Sequence, residues 1–117
     1  QAIGTRLSEA TDVLEQATAW LGEHGMADVQ QALAGATPYL RLFGTATGGW
    51  VLARQALAAR TLLDEGGADP SLDQAFLEAK IGTARFYADH VLPGVKGLID
   101  TVTAGSEDLF ALEPSQL

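Results

Sequence analysis

No cysteine occurs among the 117 residues. Disulfides and thiolate metal sites are therefore excluded, and the composition fits a reducing compartment, so the cytoplasm is the expected location. No stretch alternates apolar and polar residues as a half-buried strand does, so no phosphate-cradling glycine loop can follow one. No run of about 18 purely apolar residues exists, which argues against a membrane-spanning helix. Basic residues are few: 7 against 15 acidic ones, a formal net charge of -8. Such a chain repels phosphates, and no nucleic-acid partner is expected. Only two histidines are present, His24 and His90. Neither has an acidic cluster at metal-ligand spacing, and no Glu-x-x-His pair or nucleophile elbow accompanies them. A self-contained active site is not expected: no catalytic, cofactor-binding or metal-binding residue is assigned. The length matches one domain with one core. The first residue is Gln with no basic-then-apolar leader behind it, so a piece of something longer is expected.

One absence is local. No acidic residue lies between Asp28 and Asp64, although the chain as a whole is acidic. This stretch reads as one long helical element against which the others pack. Asp28 can cap its start, with Gln31 three residues on completing a capping-box pattern. Val29, Leu33, Ala36, Leu40 and Phe43 form its first apolar stripe. Pro38 interrupts that pattern, so a kink or a break is expected near Thr37. From Leu40 a ridge at four-residue spacing continues through Gly44, Gly48, Leu52 and Ala56. Glycine inside a helix costs up to about 1 kcal/mol relative to alanine. Gly44, Gly48 and Gly49, followed by Trp50, therefore mark a helix-packing groove, filled either by a neighbouring backbone or by a bound apolar group. Arg41, Arg54 and Arg60 are the element's charges. They do not share a face, which favours ion pairs over a phosphate site.

Two more long helices flank this one. Ile3, Leu7, Ala10, Leu14, Ala17 and Leu21 alternate steps of four and three, a one-sided helical stripe. Gly22 and Gly25 should close it, Gly25 as a left-handed cap. Glu65-Gly66-Gly67-Ala68-Asp69-Pro70 reads as a loop. Beyond it Leu77, Ile81, Ala84, Ala88, Val91, Val95, Leu98 and Val102 hold the helical period, with Leu72, Phe76, Ala79, Thr83 and Phe86 alongside. An apolar arc this wide belongs either to the centre of a bundle or to a face covered by a second domain. Leu72, Phe76, Phe86 and Tyr87 are the candidate domain or subunit interface. Pro93-Gly94 should bend this helix, and Arg85 and Asp89 are spaced for an ion pair. His90 reads as a hydrogen-bonded structural histidine. Gly105 should end the helix before a last short turn. The expected fold is all-α: an antiparallel bundle of three long helices, about 2–24, 28–65 and 70–104, kinked at Pro38 and Pro93, plus a short one at 106–112.

Several segments resemble a known family. Phe76-Leu77-Glu78-Ala79-Lys80, then Ala84-Arg85-Phe86-Tyr87-Ala88 and Leu92-Pro93, resemble the extra C-terminal domain of one branch of the acyl-CoA dehydrogenases, which includes the 3-methylmercaptopropionyl-CoA dehydrogenases. Leu14-Glu15-Gln16-Ala17-Thr18, Tyr39-Leu40, Phe43-Gly44 and Gly49-Trp50 are similar to the same pattern in the same order. The resemblance implies a non-catalytic helical appendage on a flavoenzyme. Such an enzyme uses FAD to take hydrogens from the alpha and beta carbons of an acyl-CoA, with a glutamate base, and passes electrons to an electron-transfer flavoprotein. The base and the flavin contacts would belong to an upstream catalytic domain, and homo-oligomerisation is implied as well. Two other readings remain: a free-standing module binding an apolar ligand near Gly44 to Trp50, and a homodimer formed through Leu72, Phe76 and Phe86.

Overall fold

The computed structural model describes residues 2–66 and 73–117. Helix α1 spans Ala2–Ala27, α2 spans Val29–Asp64 and α3 spans Gln74–His90. A 3-10 segment, Leu92–Gly97, leads into the short α4, Leu98–Val102, and two 3-10 turns follow at Asp108–Phe110 and Pro114–Gln116. Among the described residues the chain is all-α.

Asp28 alone separates α1 from α2. Its extended backbone (φ -150°, ψ 108°) reverses the chain, and its carboxylate accepts from the Gln30 N–H at 3.0 Å. Gly25 is no left-handed cap: α1 runs on to Ala27, and the described glycines with positive φ are Gly66 and Gly105. Its missing side chain serves the reversal instead. A Cβ there would lie 2.8 Å from the Ala32 Cβ, so a larger residue would push α1 and α2 apart just where they turn back on one another. Farther along, the Thr18 and Tyr39 hydroxyls share a hydrogen bond of 2.7 Å. Residue 25 facing 32 and 18 facing 39 make the pair antiparallel.

Of the kink or break expected near Thr37, the break does not occur: α2 is continuously helical across Pro38. Proline costs that helix one backbone hydrogen bond. Gly35 packed on Val102 and Tyr39 bonded to Thr18 hold the helix on either side of it. Pro93 acts differently. The single helix expected over 70–104 stops at His90, tightens into the 3-10 segment and resumes as α4. The ring cannot donate to the preceding turn, and Gly94 and Gly97 add backbone freedom beside it. The chain direction survives the interruption. Tyr87 meets Thr45 and Val102 meets Gly35, so α3, the 3-10 segment and α4 together run antiparallel along α2.

At about 1.5 Å rise per residue, the 36 residues of α2 form a rod of about 54 Å. The molecule follows that rod: its extents are 66 × 29 × 21 Å and its radius of gyration is 19.4 Å. A compact domain of about 100 residues would have about 13 Å. The core is correspondingly thin. Ala10, Ala17, Ala46, Ala56, Ala59, Ala84 and Ala88 are buried, and the large side chains fully out of solvent are Leu42, Leu92, Val95 and Val102.

Candidate functional site

The inner face of α2 is made of small residues and one large one, Leu42. Gly35, Leu42, Ala46, Gly49, Ala56 and Ala59 are buried at helical spacing. Gly49 admits the side chain of Leu92: a Cβ would stand 2.8 and 2.9 Å from its two methyl carbons. Gly48 admits Tyr87, whose oxygen would be 2.6 Å from such a Cβ. The Tyr87 hydroxyl donates to the Thr45 carbonyl at 2.7 Å, and burial raises its pKa above the usual 10.0. Gly48 and Gly49 thus lie in tight helix packing with α3 and the segment after it.

Gly44 and Trp50 do not join them. A Cβ at Gly44 would meet nothing within 4 Å. Trp50 is half exposed, with the Arg54 guanidinium 5.2 Å above its ring. The reason is geometric. Each four-residue step along a helix advances about 40° beyond a full turn, so a four-spaced row winds around the rod. The row beginning at Leu40 and Gly44 is exposed, is partly covered by Gly48 and Leu52, and is buried only at Ala56.

The second candidate set is also divided. Leu72 lies outside the described residues. Phe76 is 47% exposed, with the Lys80 ammonium 5.1 Å over its ring. Phe86 is 61% exposed and stacks on His90, ring centroids 4.7 Å apart. His90 is therefore an exposed stacking partner rather than an internal hydrogen-bonding group. Tyr87 points inward. No common surface gathers the described three.

Ion pairs stitch the outer helices to one another. Arg6 reaches Glu9 at 3.3 Å and Asp89 at 3.7 Å, and the Lys96 ammonium donates to Glu9 at 3.1 Å. Asp89 thus pairs with α1 instead of its expected neighbour Arg85. The hydrogen bond from Lys96, helped by its charge and by the hydrogen bond and charge of Arg6, outweighs desolvation and holds the Glu9 carboxyl below its ordinary pKa of 4.5. On α2, Arg60 pairs with Asp64 at 3.8 Å. His24 bonds the Trp20 carbonyl at 3.0 Å and stacks on the Trp20 ring. Among the described residues no group of three His, Cys, Asp or Glu side chains could hold a metal ion, and no helix is long and apolar enough to cross a membrane.

The most conspicuous surface feature is the opposite side of α2. Val29, Leu33, Leu40, Phe43, Trp50, Val51 and Leu57 are all exposed, Leu40 by 72%. They are spread along the helix from Val29 to Leu57. Val29, Leu33, Ala36, Leu40 and Phe43 have the helical period that sequence reading gave them, but they face outward. The signal for the true inner face is the second periodic set, small instead of large, from Gly35 through Ala46 and Gly49 to Ala59.

The family described as "Acetyl-CoA dehydrogenase C-terminal like" matches residues 1–113. A relative, the 3-methylmercaptopropionyl-CoA dehydrogenase of Ruegeria pomeroyi (strain ATCC 700808 / DSM 15171 / DSS-3), is 39% identical over 92 residues, which are 79% of this chain and 15% of the relative. The chain thus corresponds to a small fraction of that enzyme's length. No solved structure matches. The helical architecture and the match over nearly the whole length agree: this chain belongs to the C-terminal domain family of the acyl-CoA dehydrogenases.

Proposed function

We propose that the chain is the non-catalytic C-terminal helical domain of an FAD-dependent acyl-CoA dehydrogenase, and that it braces the catalytic body, supporting assembly or the shape of the acyl site. The observation that carries this reading is the pairing of a thin, alanine-rich core with a bare apolar face along α2. A module only 21 Å thick in one direction buries few large side chains by itself and offers a broad surface to something else. The chemistry belongs upstream. The acyl-CoA substrate, the FAD, the glutamate base and the electron-transfer flavoprotein are all expected to meet the catalytic domain, as membership of this C-terminal domain family suggests.

The test compares the complete dehydrogenase with a version ending just before Gln1. FAD content, sedimentation and turnover of an acyl-CoA are measured on both. Loss of flavin, assembly or acyl-chain preference on truncation supports the bracing role. A truncated enzyme indistinguishable from the complete one in all three would refute it. Replacing the glutamates of this chain singly by glutamine should leave the chemical step intact.

A further inference from the structure

We propose that the trough between α2 and α3 around Gln55 holds an acidic amphipathic helix of the dehydrogenase's catalytic body. This deepens the bracing role above and rests on that reading. Gln55, Ala58 and Leu62 of α2 and Phe76, Leu77 and Lys80 of α3 line one recess. A second recess, lined by Trp50, Val51 and Arg54, opens into it, since Gln55 and Ala58 border both. Their volumes, about 220 and 330 Å³, lie at or below the lower end for small-molecule pockets, and both are open to solvent. A shallow, elongated trough suits a helix laid along it better than an enclosed ligand. From Trp50 to Leu62 it runs about 18 Å, the length of about 12 helical residues. Ala58, small and exposed, lies between the large side chains at the two ends, so a partner backbone can come close there.

Charge names the partner. The chain has a net charge of -8, yet none of the residues lining the trough is acidic and two are cationic. Among the described residues Arg54 and Lys80 form no ion pair, and the acids nearest in sequence are engaged elsewhere, Asp64 by Arg60 and Glu78 by Gln74. Each cation is folded over a ring, Arg54 at 5.2 Å from Trp50 and Lys80 at 5.1 Å from Phe76. Register gives their separation. Tyr87 lies against Gly48, so eleven residues on along α2 and eleven back along antiparallel α3, Ala59 is level with Phe76. The two charges thus sit about nine residues, or about 13 Å, apart along the trough. A helix with carboxylates about two turns apart and apolar side chains between them meets both cations and both rings. Position names the source. Thr18 lies beside Tyr39, so the first residues of α1 are about level with Gln55, and α1 does not reach the far half of the trough. On the bracing reading the catalytic body joins α1 at that level, beside the trough.

Carbodiimide coupling tests this directly, because it joins a lysine to a carboxylate in contact with it. The chain has two lysines, Lys80 and Lys96. Lys96, 3.1 Å from Glu9, is a built-in control. In the complete dehydrogenase Lys80 should couple to an Asp or Glu of an amphipathic helix in the catalytic body, identified by peptide mass spectrometry. Arg54→Glu should lower that coupling on the order of tenfold, since attraction becomes repulsion at the other end of the docked helix. Arg85→Glu, the same charge change on exposed α3 outside the trough, should leave it unchanged. Lys96 should couple to Glu9 in every variant. Coupling of Lys80 only within this domain, to a second copy of it, to a separate protein, or to nothing while Lys96 couples would each overturn the proposal, as would equal coupling in Arg54→Glu. The truncation before Gln1 separates the two ideas. If truncation costs flavin or assembly while Lys80 stays uncoupled, the domain braces through another surface and the docked helix falls. If Lys80 couples as expected while truncation changes nothing, the docked helix stands and the bracing role falls.

Discussion

Replacing Gly35 by alanine sets two effects of known size against one another. Alanine is the better helix former by about 1 kcal/mol in a helix interior, and Gly35 sits inside α2, so propensity alone stabilises the variant. The structure opposes it. The new methyl would lie 2.5 Å from the Val102 carbonyl oxygen, 3.3 Å from the carbonyl carbon and 3.4 Å from the Cα. The obstacle is the backbone of α4, anchored by a Val102 side chain with no exposed surface, so no rotamer change can clear it. Either α2 and α4 separate by nearly an ångström or the end of α4 distorts. Overpacking of this kind costs about 1–3 kcal/mol, and a backbone obstacle belongs at the upper end. The net expectation is a loss of about 2 kcal/mol, or about 6–10 °C in Tm for a domain of this size. Gly22→Ala in α1 and Gly82→Ala in α3 provide the opposite sign. Both lie in helices with nothing within 4 Å of the added atom, so each should gain about 0.5–1 kcal/mol. Melting followed by far-ultraviolet circular dichroism reads all three. A Gly35→Ala chain that melts higher than the parent would show that α4 does not rest on α2 as described, and the small-residue inner face would lose its explanation.

Three further outcomes follow from the packing and the charges. Leu42→Ala removes one of the few large, fully buried side chains and should cost about 2–5 kcal/mol, enough to leave much of the chain unfolded in a urea titration. Tyr87→Phe forfeits the hydrogen bond to the Thr45 carbonyl and should lose about 0.5–1.5 kcal/mol. Because burial raises the pKa of Tyr87 in the folded chain, its contribution is complete below pH 10.0 and is lost as pH rises through the folded value. The Phe variant should show a shallower alkaline decline in Tm, and an identical decline would count against the burial. Glu9 has the reverse sign: with its folded pKa held below 4.5, the pairing helps above that value and fades as pH falls through the folded one. A carboxyl titration by NMR should find Glu9 below 4.5, and Lys96→Met should move it back up.

The periodicity of α1 and α2 was legible because it depends on the spacing of apolar residues alone. Ile3 through Leu21 faces the core as its stripe requires, with Ala10 and Ala17 buried. The direction in which α2 faces was not. A helix with two periodic sets, one large and one small, satisfies the amphipathic pattern either way, and only the shape of its neighbours decides between them. Leu92 and Tyr87 need recesses, so Gly49 and Gly48 turn inward and Leu33 and Leu40 are left outside. Prolines were legible as perturbations but not in degree. Pro38 sits where packing on both sides holds the helix, whereas Pro93 is followed by two glycines within four residues. The partner of Asp89 could not be read either, since Arg85 and Arg6 differ only in tertiary position. Gly25 has the composition of a cap, but its close approach to Ala32 depends on how tightly Asp28 reverses the chain.

Large residues outside and small residues inside make the stability of this domain depend on its surroundings. Each buried alanine contributes only a fraction of what a buried leucine would, because apolar stabilisation grows with the area removed from water. The inner face gains close backbone approach instead, which excludes water and fixes the helix separation but fills little volume with side chains. The leucines that could have built a thicker core, Leu33, Leu40 and Leu57, lie on the outer surface. A free-standing module under that arrangement gives up stability it could have kept. If a partner covered them, the same residues would complete a second core on the far side of α2, and the long helix would become the shared wall of two packed layers. Burying α2 from both sides would then raise its stability above that of any helix in the isolated chain. The protection of its backbone amides against hydrogen exchange would be the direct measure of whether that second layer has formed.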